Sequence, residues 1–174
     1  MTEIRPTPPG RRDGTVPDGT YAVDPAACAL RFRAKAFTLL WVRGTMPVVA
    51  GTLHVRGGRL SGEGAVAADR VATGVGARDW HLRSSHYLHT KRYPQITLSA
   101  TDADLGSDTV DCTVTVRGTS RSVPMAITTS HCEGDRLHIA ASTRLDRTVF
   151  PMLPPLAGVS RMVDIELTVV AHRT

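Results

Sequence analysis

The feature that most constrains this chain is a two-residue alternation of apolar and polar side chains recurring from Gly19 onward, the pattern of strands with one dry and one wet face. In Ala29 to Phe37, Leu30, Phe32, Ala34 and Ala36 alternate with Arg31, Arg33 and Lys35. Between Val110 and Arg117, Val110, Cys112, Val114 and Val116 alternate with Asp111, Thr113, Thr115 and Arg117. Val123, Met125 and Ile127 follow a turn through Gly118 to Arg121, and Leu137, Ile139 and Ala141 follow Gly134-Asp135. These segments read as consecutive hairpins. The last strand is the cleanest, with Val163, Ile165, Leu167 and Val169 set against Asp164, Glu166 and Thr168. Shorter, glycine-spaced strands are expected over 41–48, 51–55 and 60–68, with Gly57-Gly58 as a turn, and a further one over 96–103. The sum is about eight, the number at which an antiparallel barrel closes around a narrow cavity. No strand fits Arg78 to Tyr93, which predicts a helical insert around residues 78–92, ending before Pro94.

Alternation alone allows either a sandwich or a barrel. The dry positions are mostly Val, Ala, Leu, Ile and Cys, and the chain has only eight aromatic residues. Because interiors pack to near-crystalline density, a barrel lined by such small groups leaves space for another molecule. The length of 174 residues suits one domain,. Residues 1–18, with Pro6, Pro8, Pro9, Pro17, Gly10 and Gly14 among charges, are expected to form a disordered arm ahead of a domain spanning 19–174,. No apolar run reaches bilayer length, so stable membrane insertion is not expected and a cytoplasmic location is. All but Lys35 and Lys91 of the 21 basic residues are Arg, giving a net charge of +5. They are scattered, not clustered, so nucleic acid is not an expected partner. Cys28, Cys112 and Cys132 show no metal-ligand spacing and read as reduced thiols, with a Cys112–Cys132 bridge left open,.

Candidate chemistry is sparse. On a continuous helix His86 and His89 would share a face, whereas His81 would point elsewhere. No Asp, Glu or Cys between Trp80 and Tyr93 completes a metal site, so no metal ligand is assigned,. Asp79 is placed to cap a helical turn, and Arg78 to pair with a carboxylate, carbonyls or a ligand's polar head. Ser84 and Ser85 neighbour His86, yet adjacent helical residues point apart. No nucleophile elbow, P-loop or dinucleotide fingerprint is present. No catalytic residue, enzymatic activity or cofactor is therefore expected.

Four ordered blocks carry a family resemblance: Gly19-Thr20-Tyr21-Ala22-Val23-Asp24-Pro25; Thr73 to Ser84 followed by Tyr93-Pro94-Gln95-Ile96; Val116 to Pro124; and Leu145 to Phe150. Across roughly Gly19 to Ala171 the sequence resembles the YceI-like, polyisoprenoid-binding, lipocalin-like proteins. The resemblance implies an all-β, eight-stranded antiparallel lipocalin-like barrel, a bound isoprenoid or quinone-type lipid, and frequently a homodimer. The chain departs from the family pattern at Ala26-Ala27-Cys28, at His86-Tyr87-Leu88-His89 and at Pro151.

The residues expected to bind the ligand are Phe32, Ala34, Leu53, Val55, Val114, Met125, Ile127, Ile139 and Phe150 along the tube. Trp41, Met46, Arg78 and Trp80 are expected near its mouth. The function expected is to bind, carry or sequester a long hydrophobic molecule. The rival readings are a stress-related protein-interaction module with a filled barrel core, and a metal or haem protein using His86 and His89.

Overall fold

The computed structural model describes residues 15–37, 39–153 and 158–174. Ten strands form in chain order: β1 (Gly19–Val23), β2 (Ala29–Ala36), β3 (Leu40–Met46), β4 (Val48–Arg56), β5 (Arg59–Ala67), β6 (Gln95–Asp104), β7 (Thr109–Val116), β8 (Thr119–Glu133), β9 (Arg136–Asp146) and β10 (Val159–Arg173). All neighbours pair antiparallel, and β1 pairs with both β4 and β10, so the sheet closes on itself.

Ten strands make eight staves because two staves are broken. A short 3-10 turn at Pro25–Ala27, capped by the Asp24 carboxylate accepting from the Ala26 N–H at 3.1 Å, separates β1 from β2. Pro47 has no N–H to give a ladder, and it separates β3 from β4,. In each case the chain bends and then pairs with the same neighbouring stave: β1 with β4, and β2 with β3. The result is a closed eight-stranded antiparallel barrel with one short helix, the expected architecture.

Strand parity explains which side chains face inward. Val123, Met125 and Ile127 point in. A bulge between Ile127 and Thr129 then shifts the register, and Ser130 and Cys132 turn inward beyond it. Such an extra residue bends a strand and helps curl a sheet. The turn expected over Gly118 to Arg121 is tighter. Arg117 and Gly118 alone take positive φ, and β8 resumes at Thr119, as in a two-residue hairpin turn.

One end of the barrel is shut. Val16, Tyr21, Val55, Leu60, Leu105, Leu137 and Ala171 form a buried cluster there. The Tyr21 hydroxyl donates to the Pro17 carbonyl at 2.7 Å, and the Gly57 N–H donates to the Asp18 carboxylate at 2.7 Å. The arm expected to end at Asp18 is thus ordered over its last four residues, because Val16 supplies apolar surface that the floor needs. The rest of that arm lies outside the described residues.

The insert occupies the other end. Its helix, α1, spans Gly76–Arg83, starting earlier and ending sooner than expected, and turns carry the chain on to Tyr93. Asp79 lies within α1 instead of capping it. Its carboxylate accepts from the Thr73 N–H at 2.8 Å and the Thr73 hydroxyl at 2.6 Å, tying the helix to the segment that leads into it.

The β10 strand is paired on both sides, with β9 on one and with β2 and β1 on the other. The edge falls on β3, which beyond β2 has a single bridge among the described residues, Thr45 to Ala72. All three cysteines are free. Cys112 lies opposite Val123 on β8 while Cys132 is nine residues further along that strand. That offset is roughly 30 Å at ~3.3 Å per residue, too far for a disulfide.

Candidate functional site: an apolar cavity along the barrel axis

The barrel is hollow. A cavity of about 910 Å³ runs inside it, bounded by Trp41, Phe37 and His81 at the open end and by Leu60 and Leu105 at the floor. That volume is near the top of the ~300–1,000 Å³ range of small-molecule sites. Along β10 its wall extends from Val159 to Val169, roughly 33 Å of strand, or about 25 Å of depth once the usual strand tilt is allowed for.

The lining is almost wholly apolar. Leu30, Phe32 and Ala34 come from β2, Val110, Cys112 and Val114 from β7, and Val163, Ile165, Leu167 and Val169 from β10. Polar lining is confined to Glu63, Arg78, His81, Tyr87, Ser99, Thr143 and Arg147. Liquid water takes about 30 Å³ per molecule and needs two to four polar partners. A chamber this large with so few partners favours a hydrocarbon over water.

Two features shape the wall and its opening. Gly44 lies directly opposite Phe32, and a Cβ there would come within 2.3 Å of the Phe32 ring. The missing side chain is the space in which the ring lies. At the open end the buried Arg147 guanidinium donates to the carbonyls of Ser160 (2.8 Å), Leu153 (2.6 Å) and Val159 (3.1 Å), and stands over the Tyr87 ring. Arg117 similarly donates to the Tyr87 carbonyl at 2.9 Å and to that of Pro151. The loops around the opening are thereby fixed by arginines satisfying backbone carbonyls.

Of the residues expected to bind ligand, Phe32, Ala34, Trp41, Met46, Leu53, Arg78, Val114, Met125, Ile127, Ile139 and Phe150 all line this cavity. Two do not. Val55 shares the inward parity of Leu53 but lies one pleat nearer the floor, inside the cluster that seals it. Trp80 sits on α1 away from the face that Ala77, Arg78 and His81 turn to the cavity, and is exposed. Arg78 is already engaged, its Nε donating to the Thr73 hydroxyl at 2.8 Å and one Nη to the Thr73 carbonyl at 2.9 Å.

Sequence reasoning missed the contribution of β10, although Val163 to Val169 show the clearest alternation in the chain. It also missed Tyr87 and Leu88, which fold under the insert and are buried. Nothing in their local pattern marks them as lining. The histidine pair that approaches is His81 and His86, with ring centroids 6.0 Å apart, because the chain turns after Arg83. His89 instead meets Tyr93 edge-on at 5.9 Å. Among the described residues no group of three or more metal-ligating side chains comes together. Burial pushes the cavity-lining Cys112 thiol above its ordinary pKa, with the nearby Asp111 charge adding to the effect,.

A closed antiparallel barrel holding a deep apolar chamber with one opening defines a lipocalin-like container. The model of the YceI-like domain matches residues 21–171, nearly the whole ordered barrel, and the chain belongs to that family. No curated protein matches the sequence. Similar solved structures include BcnA of Burkholderia cenocepacia, with 16% identity, a TM-score of 0.71, and coverage of 85% of this chain and 98% of that one. A polyisoprenoid binding domain from Saccharophagus degradans is 15% identical with a TM-score of 0.70, covering 88% and 98%. The Campylobacter jejuni YCEI protein is 15% identical with a TM-score of 0.57, covering 99% and 94%. At these identities the likeness is one of fold.

Proposed function

We propose that this protein binds and carries a long hydrophobic molecule of the polyisoprenoid or prenyl-quinone class within its barrel. The observation that carries the reading is the cavity itself, deep, narrow, apolar and open at one end. Each buried methylene contributes about 0.8 kcal/mol, so a prenyl tail along such a wall binds tightly without a dedicated polar contact. The polyisoprenoid-binding relative of the same fold supports the same class of ligand. In this reading the protein does no covalent chemistry. Any homodimer would pair through the outer side of β3, since β10 is closed.

The test is to extract the purified protein with organic solvent and identify released lipids by mass spectrometry. The emptied protein is then titrated with geranylgeraniol. Release of a prenyl lipid, or saturable uptake at one molecule per chain, is the expected result. An extract without hydrophobic molecules, together with no geranylgeraniol uptake, would overturn the reading and favour a filled interaction module.

A further inference from the structure

Every large apolar side chain that is exposed among the described residues lies at the open end of the barrel. Phe37 (72% exposed) and Leu39 (85%) lie between β2 and β3, and Leu40 and Trp41 open β3. Val75 and Trp80 (72%) belong to the start of the insert, and Val149 to the connection leaving β9. Topology brings these segments together. The Thr45–Ala72 bridge is antiparallel, so residues 73–75 run back along β3 toward Trp41 and deliver α1 beside it. Beside it, the Phe37 N–H donates to the Gly158 carbonyl at 2.7 Å, carrying the β2–β10 ladder one step past Ala36 and Val159. Both tryptophans of the chain stand on this rim. Leu39 and Trp80 do not line the cavity, so the proposed ligand does not account for their exposure.

The hairpin at the rim carries charge of one sign. The β2–β3 hairpin carries Arg31, Arg33, Lys35 and Arg43 and no acid. Arg33 and Lys35 lie 4.8 and 5.1 Å from the centre of the Trp41 ring. Three of the carboxylates at this end are already engaged. Asp164 pairs with Arg33 at 3.0 Å and lies 3.9 Å from Arg144, Asp146 pairs with Arg161 at 2.5 Å, and Asp79 is held by Thr73, while Glu166 only lies in register with Arg31 and the exposed Asp69, on the turn after β5, is in no ion pair among the described residues. Among the described residues neither Lys35 nor Arg43 is in an ion pair.

We infer that this rim docks on the surface of a bilayer containing anionic lipid, with Leu39, Leu40, Trp41 and Trp80 in the headgroup–acyl boundary and the hairpin cations against the headgroups. Tryptophan beside Lys and Arg is the composition that membrane interfaces select, each part matching one layer of the boundary. Such docking sets the cavity opening against the acyl layer, so that a prenyl chain passes between bilayer and barrel without crossing water. That purpose rests on the carrier reading; the docking itself does not.

The test is co-flotation with vesicles of phosphatidylcholine containing phosphatidylglycerol, against vesicles of phosphatidylcholine alone, with tryptophan emission read in parallel. The protein is expected to float with the anionic vesicles, to shift its emission to the blue, and to be released by high salt. Lys35→Glu should weaken binding by about fivefold or more. Leu39→Asp with Trp80→Ser should weaken it by at least about tenfold, while uptake of geranylgeraniol presented in detergent stays at the level of the unaltered protein. The inference is overturned by unaltered protein that stays unfloated with unmoved emission, by the double variant floating as well as its parent, or by a dimer in solution that buries the rim. Protein that floats but takes up no geranylgeraniol would uphold the docking and sink the carrier reading.

Discussion

Phe32 and Gly44 face each other across the β2–β3 pair, and the ring fits only because its partner has no side chain. The neighbouring Ala34 is the reverse case, a small buried residue whose side chain ends at the cavity wall. Ala34→Trp is expected to fill the chamber and abolish geranylgeraniol uptake. The melting temperature should stay within a few degrees of the parent's, because the added rings enter existing space instead of overpacking a dense core. A variant that unfolds, measured by thermal melting, would mean that the wall has no room behind Ala34. At this scale the sequence was informative wherever parity was uninterrupted. Phe32, Ala34, Val114, Met125 and Ile139 were legible as inward from their neighbours alone. Val55 was misread because alternation tells which face a side chain takes but not how far along the barrel the floor lies.

The elements differ in how firmly they are held. The β10 strand is paired along its length with β9 and, on its other side, with β2 and β1, so that it ties the first strand and the last into the ring. The β3 strand has a full ladder only with β2. Amides in Leu40–Met46 are therefore expected to exchange with deuterium well before those of 163–169, in the lower range of local opening energies. Equal protection of the two segments in hydrogen-exchange mass spectrometry would show that the outer side of β3 is covered in solution. The alternation predicted both strands but gave no means to rank them, because edge status depends on which strands meet across the closure. The two broken staves were hidden for a similar reason. Pro47 and the Pro25–Ala27 turn look like ordinary interruptions until pairing shows the chain resuming beside the same neighbour. The insert was legible as non-strand. Its helix bounds were not, since α1 has no side-chain cap at its start and is positioned by Asp79 reaching back to Thr73.

For the whole molecule, pattern alone left sandwich and barrel undecided. The family resemblance pointed to the barrel, and the β1–β10 pairing is what closes it. The stopper was outside the reach of the pattern, because Val16 is a lone apolar residue in a proline-rich stretch and its burial depends on Tyr21, Leu105 and Leu137 meeting it from distant parts of the chain. That stopper makes the barrel a ruler as well as a vessel. A guest that can advance only until it touches Leu60 and Leu105 must leave any surplus outside. Along a series of prenyl alcohols, affinity measured by titration is expected to climb with each added isoprene and then level off once the chain outgrows the tube. A steady climb with no plateau would mean the floor gives way.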